Sequence, residues 1–223
     1  MAEAKINEIF DSIQGEGLYI GCRQVFVRFC GCNLLCEYCD TDFEGGDVYS
    51  AQELAKKVND FPLKSVHSLS LTGGEPLLHY EFLKEFLPLV NTKIYLETNG
   101  VLFRPLSEVV DLVDIVSMDL KLDSSAKIGD LFNSHKKFLE IVKSADKEVF
   151  AKIVFDDKIK DFEINECAKL GETFEIPLIL QPKMNGNEIG VKKEKILEVF
   201  EKFTSKYPDS RLIGQVHKFF DIR

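Results

Sequence analysis

The sequence lacks a long apolar run, which argues against a membrane protein. No stretch approaches the roughly 18 apolar residues that a helix needs to span a bilayer. The first ten residues, MAEAKINEIF, carry charges and lack the apolar core of a signal peptide. We therefore expect a soluble cytoplasmic protein with no membrane partner.

A run of basic residues is also missing. The chain has 28 Lys+Arg against 37 Asp+Glu, which gives a formal net charge of −9. Because phosphate backbones are bound by clustered cations, tight nucleic-acid binding is disfavoured. The sequence also lacks internal repeats, low-complexity tracts and an obvious linker. With 45% hydrophobic residues, residues 1–223 fit one domain with a sizeable core.

Cysteine is scarce outside one short region. Five of the six cysteines lie between Cys22 and Cys39. A secreted disulfide scaffold would be smaller and more evenly cross-linked, so this crowding indicates a metal site. Cys167 stands alone in a helical pattern and is expected to be a small buried residue.

Short apolar runs rich in β-branched residues alternate with stretches of helical spacing, which predicts an α/β fold with a parallel sheet. The expected strands are 24–30, 66–72, 93–97, 113–118, 148–155, 174–181 and 211–216. The expected helices are 51–59, 80–90, 106–112, 128–144, 161–170 and 192–206. This pattern alone fits both an α/β barrel and an open doubly wound sheet.

Each distinctive polar segment follows or ends one of these apolar runs. The segments are CNLLCEYCDT, TGGEP, ETNG, SMDLK and LQPK. Because the carboxyl ends of parallel strands meet at one rim, we expect the chemistry of the protein to lie there.

Cys32, Cys36 and Cys39 form a C-x3-C-x2-C motif that one loop can wrap around a metal centre. Three thiolates leave one iron of a four-iron cubane with an open coordination position. A structural zinc site would need a fourth ligand, which Cys30 or Cys22 could supply, so zinc stays an alternative.

This cysteine spacing, with Tyr38 directly before the last cysteine, resembles the signature of the radical S-adenosylmethionine (SAM) superfamily. The resemblance implies a [4Fe–4S] cluster on the three cysteines, SAM bound at the open iron, and an electron donor such as flavodoxin or ferredoxin. The cluster and SAM would carry the radical chemistry, and the protein would position them.

The other motifs supply the expected SAM contacts. Glycines in TGGEP let the backbone approach a ligand closely, and Glu75 could accept hydrogen bonds from an ammonium group; alone, the motif also fits a tight turn before a helix. The resemblance implies cofactor contacts at Tyr38, Gly73, Gly74, Glu75, Glu97, Asn99, Ser117, Lys121, Gln181 and Pro182. Several relatives have a shorter serine-proline-lysine version of SMDLK, so Ser117 is easier to align than Lys121.

The stretches EIFDSIQGEG, FVRFCGCNL, CDTD and QVHK resemble the 7-carboxy-7-deazaguanine synthase family along nearly the whole chain. This resemblance implies conversion of 6-carboxy-5,6,7,8-tetrahydropterin (carboxypterin below) to 7-carboxy-7-deazaguanine with loss of ammonia, in the biosynthesis of queuosine or related 7-deazapurines. It also implies a partial TIM-like (β/α)6 barrel of the radical SAM type and a homodimer.

Residues 10–42 are expected to form the substrate-binding and cluster loops. Gln14 and Glu16 offer an amide and a carboxylate suited to the pterin edge, and Ile13, Gly15 and Thr72 are expected to contact the substrate.

Arg28 is the one charge in an otherwise apolar strand, where alternation places it on one face with Phe26 and Cys30. A buried guanidinium demands an anion, either the substrate carboxylate or an internal acidic side chain. Arg28 is therefore expected to bind substrate and to serve catalysis together with the three cysteines. Thr41 matches a family position that helps to hold Mg²⁺, although it would equally fit a helix N-cap.

Two rival functions share parts of this pattern. A glycyl-radical enzyme activase has the cysteine spacing and the GGEP motif, but it gives no reason for the QGEG loop or for Arg28. A zinc-stabilised binding module without catalysis would explain the cysteines alone.

Overall fold

The computed structural model describes residues 2–39 and 45–222. The strands in these ranges are β1 (Glu3–Ile13), β2 (Arg23–Phe29), β3 (Asp47–Ser50), β4 (Ser68–Gly73), β5 (Ile94–Thr98), β6 (Ile115–Asp119), β7 (Glu148–Phe155), β8 (Leu178–Pro182), β9 (Met184–Asn185), β10 (Glu188–Ile189) and β11 (Ser210–Leu212). The helices are α1 (Ala51–Asn59), α2 (Tyr80–Phe86), α3 (Phe103–Ser107), α4 (Asp123–Ala126), α5 (Phe132–Ser144), α6 (Asp161–Phe174), α7 (Lys193–Lys206) and α8 (Val216–Phe220). Short 3₁₀ turns include Gly17–Tyr19 and Pro76–His79.

Nine of the described strands form one sheet in the order β11, β8, β7, β6, β5, β4, β2, β1, β3. Neighbouring strands from β11 to β2 run parallel, whereas β1 is antiparallel to both β2 and β3. The seven parallel strands correspond to the seven expected from the sequence, which is one strand more than the six of a (β/α)6 barrel, and the last of them, β11, is short. In the register that shapes the site, Arg28 lies opposite Thr72, and Asp119 lies opposite Lys152.

The two faces of the sheet have different neighbours. Side chains such as Val27, Leu71 and Leu96 point to one face, where they form a large apolar core together with residues from the long helices. The other face carries a small cluster of Tyr95, Ile115, Phe150 and Ile179, on which Leu18, Tyr19 and Ile213 pack. A doubly wound sheet would have helices on both faces. The expected partial (β/α)6 barrel is therefore confirmed.

The inner face of the barrel changes character along its strands. Inward-pointing residues alternate with outward-pointing ones, because successive side chains of a strand face opposite sides. Near the amino ends they are apolar, as with Phe150 and Ile179. Near the carboxyl ends they are polar or charged, as with Thr72, Glu97 and Lys152. The expected rim of polar residues at the carboxyl ends is present.

Most element bounds follow the sequence pattern, and the differences have local causes. Helix α1 begins as expected because Ser50 and Glu53 form a capping box at its amino end. Phe174, expected at the start of a strand, instead ends helix α6. The strand expected over 211–216 is shorter in the structure, since β11 ends at Leu212 and Val216 begins α8.

Strand β1 is the main element that the sequence pattern does not reveal. Charged residues interrupt its alternation, and its pairing partners β2 and β3 lie elsewhere in the chain. The segment 10–42, expected to carry the substrate-binding and cluster loops, therefore begins inside β1, and it contains β2 where a strand at 24–30 was expected. No helix in the described ranges is long and apolar enough to cross a membrane.

Candidate active site

The carboxyl ends of the parallel strands surround a cavity of about 510 Å³, a size typical of small-molecule sites. Most residues that the sequence assigns to the cluster, the cofactor or the substrate line it: Ile13, Gln14, Gly15, Glu16, Arg28, Cys32, Cys36, Tyr38, Cys39, Thr72, Gly73, Gly74, Glu97, Asn99, Lys121 and Gln181. Thr41, expected at Mg²⁺, lies outside the described residues. Three further expected residues, Glu75, Ser117 and Pro182, are buried behind the wall of the cavity.

The carboxylate of Glu75 is engaged inside the protein. Its Oε1 accepts hydrogen bonds from Leu77 N (3.1 Å) and Thr98 Oγ1 (2.9 Å), and its Oε2 accepts one from Asn99 N (2.8 Å). Burial raises the pKa of Glu75 to about 7, against the lowering effect of these donors. These bonds show that Glu75 fixes the TGGEP loop to the ETNG loop. Its expected contact with a ligand ammonium stays a prediction.

The glycines of TGGEP are required by a close approach of two backbones. A Cβ atom on Gly74 would lie 1.7 Å from Gly31 O. Gly73 has a φ of +117°, and a Cβ atom there would lie 2.3 Å from Phe29 O. The backbone groups of Gly74 and Glu75 donate hydrogen bonds to Phe29 and Gly31. These glycines therefore seat the loop against the start of the cysteine segment, which is a different reason from the ligand approach that the sequence suggests.

The three motif cysteines lie along one wall of the cavity. The sulfur of Cys32 accepts hydrogen bonds from Leu34 N (3.4 Å) and Asn99 Nδ2 (3.9 Å). Burial raises the pKa of the Cys32 and Cys36 thiols above the ordinary value. Their thiolates would therefore need a cationic partner, which a metal centre supplies.

The described side chains do not form a site for a single metal ion. Within residues 2–39 and 45–222, no three His, Cys, Asp or Glu side chains converge as ligands of one ion. A cubane does not require such convergence, because each thiolate binds a different iron. Cys30, expected on the cavity face with Arg28, instead directs its sulfur toward Gly45 O at 3.7 Å and does not line the cavity. Neither finding favours a zinc site.

The side-chain amide of Gln14 is used inside the protein. Its Nε2 donates to Glu97 Oε1 (2.8 Å) and Gln24 Oε1 (3.0 Å), and its Oε1 accepts from Glu16 N (3.1 Å). Glu97 also accepts a hydrogen bond from Thr72 Oγ1 (2.9 Å). Both N–H groups of this amide thus hold the loop, and the expected contact of Gln14 with the substrate stays a prediction. Glu97, assigned to the cofactor by resemblance, stands beside the expected substrate residues.

A chain of alternating charges crosses the cavity floor. Lys152 Nζ lies 2.7 Å from Glu16 Oε2 and 3.4 Å from Asp119 Oδ1, and Asp119 Oδ2 lies 3.0 Å from Lys121 Nζ. Lys121 also stands over the Tyr38 ring at 5.2 Å. The chain therefore connects the QGEG loop to the cysteine loop.

Lys152, Asp119 and Gln215 are site residues that sequence reasoning missed. The sequence could have indicated Lys152, because it is a charged residue inside an otherwise apolar strand, as Arg28 is. Gln215 lies in the quoted QVHK segment, but no local pattern shows that its side chain donates to Glu16 Oε1 from 199 residues away.

Two further side chains are placed to meet ligands. The Arg28 guanidinium lines the cavity and lies 5.6 Å above the Phe10 ring, which itself stacks on Phe26. Gln181 is buried at the cavity wall, and its Oε1 has no hydrogen-bond partner among the described residues. Such an acceptor is suited to an amino group of a bound cofactor.

The chain was compared with known proteins. It matches the Radical SAM superfamily over residues 26–163. It is 39% identical to a 7-carboxy-7-deazaguanine synthase of Geobacter sulfurreducens, over 97% of this chain and 96% of that protein. It is 32% identical to one of Methanothermobacter thermautotrophicus, over 100% of this chain and 99% of the other.

Solved structures agree on the fold. The crystal structure of QueE from Escherichia coli matches with a TM-score of 0.65 at 20% identity, over 96% of this chain and 95% of that one. Because two full-length relatives exceed 30% identity and the superfamily match spans more than half of the sequence, the chain belongs to the 7-carboxy-7-deazaguanine synthase family of the radical SAM superfamily.

Proposed function

We propose that this protein converts 6-carboxy-5,6,7,8-tetrahydropterin to 7-carboxy-7-deazaguanine with release of ammonia. The observation that carries the proposal is that one cavity joins the cysteine motif to Glu16 and Arg28. The cysteines suit a radical SAM centre, and the other two suit a ligand that has both an amino edge and a carboxylate. The full-length similarity to proteins named for this reaction supports the same assignment.

Cys32, Cys36 and Cys39 would hold a [4Fe–4S] cluster. With SAM bound, such a cluster would supply one-electron radical chemistry. The backbone of Gly73 and Gly74 and the Gln181 amide would position SAM, since all three reach the cavity. Tyr38 lies between the Lys121 and Lys183 ammonium groups, at 5.2 and 5.9 Å, and closes the cluster side of the cavity.

Arg28 and Glu16 would orient the substrate. The Arg28 guanidinium offers a planar fork that matches a carboxylate, and its position over Phe10 restricts its rotation. The Glu16 carboxylate would accept hydrogen bonds from the amide and amino N–H groups of the pterin. The apolar cluster beneath them, which includes Tyr95 and Phe150, would keep water from the floor of the site.

Further elements of the proposal rest on family analogy. They are Mg²⁺ held with the help of Thr41, an electron donor such as flavodoxin or ferredoxin, a homodimer, and one radical SAM domain over residues 1–223. The Mg²⁺ role has a direct test, because Thr41→Ala should weaken the response of turnover to Mg²⁺ while leaving the iron content unchanged. Wild-type turnover that is indifferent to chelation of Mg²⁺ would show that the role is wrong.

The decisive experiment is anaerobic reconstitution with iron and sulfide, followed by incubation with SAM, a reductant, Mg²⁺ and the carboxypterin. We expect formation of 7-carboxy-7-deazaguanine with an equal amount of ammonia, measured by mass spectrometry and an ammonia assay. Reconstituted protein that cleaves SAM but leaves the carboxypterin intact would refute the proposed substrate. Zinc without sulfide in the purified protein would favour the binding module instead.

A further inference from the structure

Lys152 occupies an unusual place for a lysine. It lies in the middle of β7 on the inner face of the barrel, and only 5% of its surface is exposed. A buried ammonium is stable only when it is paired and hydrogen-bonded. Lys152 has two partners, Glu16 Oε2 at 2.7 Å and Asp119 Oδ1 at 3.4 Å.

The pair with Glu16 is part of a clamp on that carboxylate. Lys152 holds Oε2, the Gln215 side chain donates to Oε1, and Gln14 Oε1 accepts from the Glu16 backbone N–H. In addition, Val216 N donates to Gly15 O (2.9 Å). The carboxylate is thus fixed in orientation by groups from β7, from the segment before α8, and from its own loop.

Within the QGEG loop, these contacts leave the Glu16 carboxylate as the hydrogen-bond acceptor that faces the cavity. Gln14, the other polar side chain of the loop, has its amide engaged by Glu97, Gln24 and Glu16. Each carboxylate oxygen of Glu16 accepts one hydrogen bond, from Lys152 or from Gln215, and can accept a second. The ammonium of Lys152 stays protonated: burial opposes its charge, but Asp119 and Glu16 hold its pKa well above the ordinary value. It is therefore a fixed cation and not a general base.

We propose that Lys152 is a positioning residue that sets the orientation of Glu16 for the N–H edge of the carboxypterin. This inference rests on the proposed function, because the ligand of Glu16 is taken from it. Lys152 would act on the substrate only through Glu16, so its removal should weaken substrate binding and leave SAM binding intact.

The test compares Lys152→Gln and Lys152→Arg with Lys202→Gln in reconstituted holoenzyme. Lys202 is the matched control, because it also lies between two carboxylates, Asp161 and Glu198, but on the outer surface of α7. Lys152→Gln should raise the KM for the carboxypterin on the order of 30-fold, the effect of truncating one member of a buried charge pair. The affinity of Lys152→Gln for SAM should change less than about twofold. The KM of Lys202→Gln for the carboxypterin should also change less than about twofold, and Lys152→Arg should recover part of the loss.

A double-mutant cycle separates positioning from a general structural role. If Lys152 acts through Glu16, adding Lys152→Gln to Glu16→Gln should raise the KM no further. The double variant also removes the unbalanced charge, so its comparison with Glu16→Gln stays measurable if the single Lys152→Gln protein folds poorly. Additive effects, or a Lys152→Gln enzyme with wild-type KM, would overturn the inference while wild-type turnover stands. A wild type that cleaves SAM but does not consume the carboxypterin overturns the proposed function and this inference together.

Discussion

Single charged residues inside buried strands set the polarity of this site. Arg28 and Lys152 both point into the barrel from strands that are otherwise largely apolar. Lys152 finds its anions within the protein, in Glu16 and Asp119. Arg28 instead lies over the Phe10 ring at the cavity wall. This difference places Lys152 in the framework of the site, and the binding of a ligand carboxylate by Arg28 stays a prediction.

The clearest consequence concerns the substrate carboxylate. Arg28→Ala should lower kcat/KM for the carboxypterin on the order of 30-fold or more, since the loss of a buried charged partner costs roughly 2–5 kcal/mol. Arg28→Lys should recover little, because a point charge does not reproduce a bidentate fork. Steady-state kinetics on anaerobic enzyme would measure both variants. Unchanged carboxypterin affinity in an Arg28→Ala enzyme with an intact cluster would show that Arg28 is structural.

The cysteines give a second prediction at this scale. Cys36→Ala should lose most of its iron and sulfide after reconstitution, since it removes one of three cluster ligands. Cys30→Ala and Cys167→Ala should retain both, because neither sulfur lines the cavity. Iron and sulfide analysis with electron paramagnetic resonance would distinguish these outcomes. Full loading of Cys36→Ala would refute the ligand assignment.

At the level of elements, the site depends on how loops at neighbouring strand ends fit together. The TGGEP loop lies against Phe29 and Gly31, and Glu75 links it to Asn99. Asn99 in turn donates to Asn33 Oδ1 (2.8 Å) in the cysteine loop. The loops after β2, β4 and β5 therefore support one another, and a displacement of one should be felt at the cluster.

Gly74→Ala tests this mutual support. A Cβ atom 1.7 Å from Gly31 O cannot be accommodated without moving one backbone. We expect a loss of about 1–3 kcal/mol in the free energy of unfolding, as for other overpacked sites, together with reduced iron loading. Urea unfolding and iron analysis would measure the two effects.

Gly214→Ala is the matched control for this substitution. A Cβ atom on Gly214 would lie 3.5 Å from Phe219, an ordinary van der Waals distance. The stability and iron content of Gly214→Ala should therefore stay close to those of the wild type. Equal behaviour of the two variants would mean that the TGGEP loop can shift without cost.

On the scale of the whole molecule, a charge pair joins distant parts of the chain and couples stability to pH. The partial burial of Glu16 would raise its pKa, but Lys152 and Gln215 lower that pKa from 4.5 to about 2. A carboxylate with a depressed folded pKa stabilises the protein above its unfolded pKa, and this contribution is lost as the pH falls toward the folded value.

We therefore expect wild-type stability to decline between about pH 4.5 and pH 2 by about 3 kcal/mol from this group. In Lys152→Gln, burial should instead raise the pKa of Glu16, so the gap to wild type should be widest near pH 7 and narrow on acidification. Anaerobic urea unfolding from pH 7 to pH 3 would follow this. A gap that stays constant with pH would contradict the linkage.

The sequence by itself determined the features that local patterns encode. Apolar runs and helical spacing predict the parallel strands, and strand ends locate the motifs, because side-chain periodicity and crossover rules act over short ranges. The spacing of Cys32, Cys36 and Cys39 likewise indicates a metal loop, since all three ligands lie in one segment.

The tertiary structure alone decided which polar atoms remain available to a ligand. The Gln14 amide and the Glu75 carboxylate look like ligand groups in sequence, yet both have hydrogen-bond partners inside the protein that are distant in sequence, Glu97 and Thr98. Strand β1 depends on pairing with β2 and β3, and the contact of Gln215 with Glu16 spans 199 residues. Such pairings are set by the packing of the whole sheet, and no local periodicity records them.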